Sequence, residues 1–165
     1  MGTSKVLAIM GSMSDDEQMA KCIKTLQEAG VNFEHMVISG HRTPELLQEV
    51  IQNTDADVII TAAGMSAHLA GISASHTIKP VIGIPLKSSA DIDGRGALFS
   101  IVNMPPGIPV ATVAIDGGKN AAILAIQMLA IKDETLRAWL LAERTKMENK
   151  IKSDNLELKA RYSDT

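Results

Sequence analysis

At 165 residues the chain has room for one domain with a sizeable core and little for a second. Hydrophobic residues at 45% against 21% charged place it among soluble globular proteins. A net charge of −3 speaks against a general polyanion binder and leaves small anions open, while 2% aromatics supply few of the flat faces on which single-stranded nucleic acid or a flavin ring stacks.

Along the chain, short apolar runs alternate with helical patterns. "KVLAIM" (5–10) comes first, followed by "SDDE", which matches a capping box with Ser14 as N-cap and Glu17 at the third helical position. The helix it opens carries the stripe Met19, Cys22, Ile23 and Leu26. Cys22 is the only cysteine, which rules out an internal disulfide, suits a reducing cytoplasm and predicts a buried, inert thiol. "FEHMVI" (33–38) precedes "TPELL", with Thr43 as cap and Pro44 at the first helical position. "DVIITAA" (57–63), a helix over about 67–76, "PVIGIP" (80–85), a helix over about 94–103, "IPVATVAI" (108–115) and a helix over 118–131 complete the alternation. Runs this continuously apolar read as strands buried on both faces. Five strands alternating with helices predict a doubly wound α/β domain: a parallel five-stranded sheet in a flavodoxin-like three-layer sandwich over 1–131.

The remaining 132–165 form a helical extension. Residues 133–161 contain neither Gly nor Pro and predict a helix of roughly 40 Å, longer than the domain is wide. Its apolar positions, Leu136, Trp139, Leu140, Met147, Ile151 and Leu158, need cover, which a neighbouring subunit would supply; the plainer alternative is a frayed tail. No apolar run reaches the roughly 18 residues of a membrane span, and the N-terminus shows no signal-peptide pattern.

In doubly wound sheets, ligands bind beyond the carboxyl ends of the strands, so the loops there carry the functional signal. After the first strand, "GSMSDD" offers the hydroxyls of Ser12 and Ser14 beside free helix N–H groups, an anion or ribose site. Asp15 suits sugar hydroxyls better than phosphate; the plainer reading is that Ser14 caps and Asp15 offsets the helix dipole. The second loop, "SGHRTP", sets Ser39, His41 and Arg42 at the sheet mouth. Arginine offers a planar fork for phosphate oxygens, and histidine both takes and gives a proton near neutrality. The third loop, "AAGMSAHLAG", is nearly free of bulk. It either lets a flat ligand lie against the backbone near His68 or serves tight helix packing. His68 and His76 lie eight apart, not a metal-ligand spacing, and lack an acidic or cysteine partner, so no metal is expected. The fourth loop carries Lys87, Ser88 and Ser89 and either covers a ligand or merely starts a turn.

Taken in order, "MGSMSD", "SGHRTP", "GMSAHLAG", "IPLKSSADIDG" and "LFSIVNMPPGIPVATVAI" closely resemble the bacterial class I 5-(carboxyamino)imidazole ribonucleotide mutases of purine biosynthesis, with intact spacing over about 5–131. The resemblance implies an isomerase without cofactor or metal that moves a carboxyl group from the exocyclic amine of an aminoimidazole ribonucleotide to ring carbon four. It also implies a cytoplasmic homo-octamer with sites at subunit interfaces, and no nucleic-acid or membrane partner. Carried over by position, His41 is the general acid–base residue. Ser12, Asp15 and Arg42 bind substrate, with Ser14 and Ser39 near the phosphate. His68 joins Gly64, Ala67 and Leu69 in the pocket for the migrating carboxylate. The chain departs from the usual family wording at Gly40, where alanine is common, at Met65 and Ser66 in a loop usually richer in Gly and Ala, and at Ala70, which replaces a usual proline.

Two rivals are weighed against this expectation. The class II relatives, which carboxylate aminoimidazole ribonucleotide directly with carbon dioxide, resemble a pattern with lysine after the second-loop histidine and no "AHL"; Arg42 and Ala67–His68–Leu69 point the other way. The other is a non-catalytic nucleotide-binding α/β module. A phospho-receiver needs an aspartate where Ala62 and Ala63 stand, and "GSMSDD" is not the dinucleotide fingerprint.

Overall fold

A computed structural model of the protein describes residues 5–162. Five parallel strands, β1 (Lys5–Met10), β2 (Asn32–Val37), β3 (Val58–Ala63), β4 (Val81–Pro85) and β5 (Ala111–Thr112), form one sheet in the order β2-β1-β3-β4-β5. This is the flavodoxin-like order, in which the direction of strand addition reverses between β1 and β3. The helices are α1 (Asp16–Glu28), α2 (Pro44–Asn53), α3 (Leu69–Ser75), α4 (Arg95–Val102), α5 (Gly118–Leu129) and α6 (Glu134–Tyr162).

Alternation along the strands divides the core in two. Val6, Ala8 and Met10 of β1, with Val58, Ile60 and Ala62 of β3, face Met19, Cys22 and Leu26 of α1 and the alanine-rich side of α5. Leu7, Ile9 and Ile59 face Leu47 and Ile51 of α2 and Leu69 and Ala74 of α3. Cys22 is fully buried, and burial pushes its thiol up to about 12, which keeps it unionised and inert, as expected. Gly83 marks the tightest approach in the core: a Cβ there would lie 2.5 Å from Ile101 Cγ2 and 3.2 Å from Ala70 Cβ. Gly83→Ala should therefore destabilise the fold by about 1–3 kcal/mol, measurable as a lower midpoint in urea with an unchanged slope.

Three local expectations differ. The strand predicted over 108–115 shrinks to Ala111–Thr112. Pro109 cannot donate to a ladder, and only Ile82↔Ala111 and Gly83↔Thr112 pair. The predicted capping box is replaced by a 3-10 turn, Met13–Asp15, capped by Ser12, whose Oγ accepts from the Ser14 N–H at 3.4 Å. Thr43 does hold the N-cap position before Pro44, but its hydroxyl turns back to Ser39 instead of capping.

The long C-terminal helix is present, with 29 residues. Its first turns join the α5 side of the core: Leu136 is buried, with Trp139 and Leu140 packed beside it. Farther along, Met147, Ile151, Leu156 and Leu158 are exposed. There the helix is supported by side-chain pairs one turn apart, Lys150–Asp154 at 2.7 Å and Arg161–Glu157 at 2.8 Å. Among the described residues no helix is long and apolar enough to cross a membrane.

Candidate active site

The loops after β1, β2, β3 and β4 meet around a cavity of about 730 Å³ at the carboxyl ends of the strands. Nine of the ten residues singled out above line it, including His41, Arg42, Ser12, Asp15 and His68; Ser14, Ser39, Gly64 and Leu69 complete the set. Ala67 instead turns its buried methyl into a small cluster with Ala70, Ala97 and Ile101, and its N–H donates to Gly64 O at 3.0 Å.

The β2–α2 loop is cross-braced by its own hydroxyls. Thr43 Oγ1 accepts the Ser39 N–H at 3.2 Å and donates to Ser39 O at 3.0 Å, while Ser39 Oγ accepts the Arg42 N–H at 3.2 Å. Bracing of this kind fixes where His41 and Arg42 point. The Arg42 guanidinium reaches across to the end of β1 and donates to Gly11 O at 3.0 Å. That one bond leaves most of its five donors for an incoming anion.

On the β1 side, Ser14 Oγ donates to Asp15 Oδ1 at 3.3 Å. Burial raises the Asp15 carboxyl above its usual range, although the bond from Ser14 and the charge of Arg42 pull the other way. Between its unfolded and folded values the native state then binds more protons than the unfolded chain. Its contribution to stability therefore falls as pH climbs through the carboxylate range and stays lost above it. Asp15→Asn should raise the melting temperature at neutral pH, leave it unchanged at strongly acidic pH, and weaken substrate binding. A variant less stable at pH 7 than the parent would contradict this.

The central contact joins two loops. His41 Nε2 lies 2.9 Å from His68 Nδ1, the rings nearly perpendicular at 77° with centroids 5.1 Å apart. One imidazole nitrogen must donate and the other accept, so the contact holds a single proton between two rings that both reach the cavity. The loop that carries His68 is under backbone strain: Met65 and Ala67 have φ of 53° and 38°, values that disfavour side chains. Two of the departures from family wording fall at sterically demanding positions. Met65 occupies a position whose backbone suits glycine, and an alanine at Gly40 would approach Ile72 Cδ1 at 3.2 Å, a contact the end of Ile72 can relieve.

Some lining residues were not singled out as site residues: Gln18, Lys87, Ser88 and Ser89. Gln18 gave a usable signal, standing one helical turn after Asp15 on the same face. The other two histidines, His35 and His76, lie outside the lining of this cavity.

The sequence model for AIR carboxylase matches residues 5–150. The chain belongs to the AIR carboxylase family. Among other members, the N5-carboxyaminoimidazole ribonucleotide mutase of Methanocaldococcus jannaschii is 50% identical over 157 residues, covering 95% of this chain and 99% of its own. The mutase of Pyrococcus abyssi is 48% identical over 151 residues, covering 90% and 86%. The crystal structure of Treponema denticola PurE superposes with a TM-score of 0.86 at 28% identity, covering 94% of this chain and 99% of that one. The match to the family spans all five strands and each loop that lines the cavity.

Proposed function

We propose that this member of the family is an isomerase of purine biosynthesis that converts N5-carboxyaminoimidazole ribonucleotide into 4-carboxy-5-aminoimidazole ribonucleotide. The 2.9 Å contact of His41 with His68, in one cavity with Arg42 and its serines, carries this reading. Arg42, Ser12, Ser14 and Ser39 take the 5′-phosphate, and Asp15 accepts hydrogen bonds from the ribose hydroxyls.

His41 then moves one proton twice. It protonates the carbamate nitrogen as the N–C bond breaks, releasing carbon dioxide and the free amine. Ring carbon four attacks the trapped carbon dioxide, and the proton lost from that carbon returns to His41, so the enzyme is unchanged at the end. His68 accepts or donates at Nδ1 and keeps the shuttling ring in one orientation, beside the Gly64–Leu69 loop that holds the migrating group. General acid–base help of this kind contributes about 10²–10⁴-fold. Confinement of carbon dioxide against the ring supplies the rest, by proximity and exclusion of water.

His41 and His68 are open to solvent in the single chain, so a dry pocket needs cover. A neighbouring copy in a cytoplasmic homo-octamer supplies it, and the extension over 132–165 packs on that copy through Met147, Ile151 and Leu158, which the domain leaves exposed. The test is substrate choice. Purified protein should form the 4-carboxylated product from the N5-carboxylated nucleotide without added bicarbonate. The family's description, AIR carboxylase, favours direct carboxylation as a second reading; turnover only with aminoimidazole ribonucleotide plus bicarbonate would establish that instead.

A further inference from the structure

The cavity has a second full cation. Lys87 follows β4 and lines the same space as Arg42. Gly64 lets the β3 and β4 loops close on each other, since a Cβ there would meet Ser88 Cβ at 3.2 Å and Leu86 O at 3.3 Å. Lys87 therefore stands beside the loop that carries His68. The Arg42 guanidinium is anchored at the end of β1, and β1 and β4 are separated by β3 alone. Two strand spacings, roughly 9–10 Å, separate the strand ends at which the two residues are anchored, on the scale of a mononucleotide from phosphate to base.

Lys87 is held by a loose ion pair with Asp116 that leaves its ammonium without a hydrogen bond to that carboxylate. Asp116 Oδ1 accepts its backbone N–H at 3.1 Å, while Asp116 Oδ2 lies 3.7 Å from its Nζ, too far for a hydrogen bond. Asp116 itself adopts a left-handed φ of 55° and donates its N–H to Pro85 O at 2.9 Å, so the clamp is a built feature of the fold. The other acids of this loop are engaged elsewhere. Asp91 Oδ2 accepts the Ala97 N–H at 2.9 Å, and Asp93 pairs with Arg95 at 3.1 Å. The ammonium thus keeps its donors for an anion that arrives from the cavity.

We infer that Lys87 binds the carboxylate of the substrate and of the product, at the end of the cavity opposite the phosphate anchor. The inference rests on the function proposed above and names a specificity residue for it. The carboxylate is charged in both nucleotides and neutral only as carbon dioxide, so the contact strengthens the bound ground states and does not lower the chemical barrier. Interactions of this type lower KM and do not raise kcat.

The experiment titrates the parent, Lys87→Met and Lys87→Arg with two ligands by calorimetry: the 4-carboxylated ribonucleotide and aminoimidazole ribonucleotide, which lacks the carboxylate. Lys87→Met should bind the carboxylated ligand about tenfold more weakly and the uncarboxylated one unchanged, with KM raised and kcat not lowered; Lys87→Arg should restore most of the affinity. Equal weakening for both ligands would assign Lys87 to the phosphate or to loop packing, and no weakening would remove it from the site; either result overturns the inference. Parent protein that binds neither ligand would instead remove the functional reading itself.

Discussion

His41→Asn is expected to lower kcat by about 10²–10⁴-fold while substrate still binds. The carboxamide reaches only as far as the imidazole Nδ1, short of the Nε2 that meets His68, and it does not take up and release a proton near neutral pH. Steady-state rates together with calorimetric binding separate the two effects. A variant that turns over at near-parent rate would dismiss the single-ring shuttle. His68→Ala is the informative companion, because it removes the partner at 2.9 Å while leaving the shuttling ring in place.

Arg42→Met is expected to raise KM roughly a hundredfold, the loss of more than one charge-assisted hydrogen bond to phosphate. Two roles are removed together, since the same guanidinium bridges to Gly11 O and so ties the β2 loop to β1. Arg42→Lys separates them. Lysine keeps the charge but loses the planar fork, so an intermediate KM would indicate bidentate contact, and full recovery would indicate charge alone. Inorganic phosphate should compete with substrate in the parent and lose that ability in Arg42→Met.

The sheet and its mouth were legible in the sequence for a simple reason. Strands buried on both faces leave continuous apolar runs, and the residues just after such runs must sit at the ligand-binding end. His41 and Arg42 follow β2, an edge strand of alternating burial, and were placed by its position in the strand–helix alternation. Pairing of His41 with His68 could not be read in this way, because it joins positions 27 apart and depends on how closely two loops approach. The 3-10 turn was missed because Ser12 and Ser14 are equally good capping residues, and the choice between them is made by backbone geometry. β5 was overestimated because apolar composition does not report how many backbone groups face a partner. Lys87 was seen only as part of a polar loop; its distinction is an ion-pair distance of 3.7 Å, which no pattern of residues encodes.

The shortness of β5 has its own consequence for how copies of this chain behave at high concentration. A border strand with a long row of unpaired amides is an invitation for another molecule to extend the sheet and seed insoluble fibres. Here that border offers only Ala111 and Thr112, with Pro109 just upstream. Little template remains on that flank, so strand addition there is disfavoured, and the six-residue β2 is the longer of the two sheet borders.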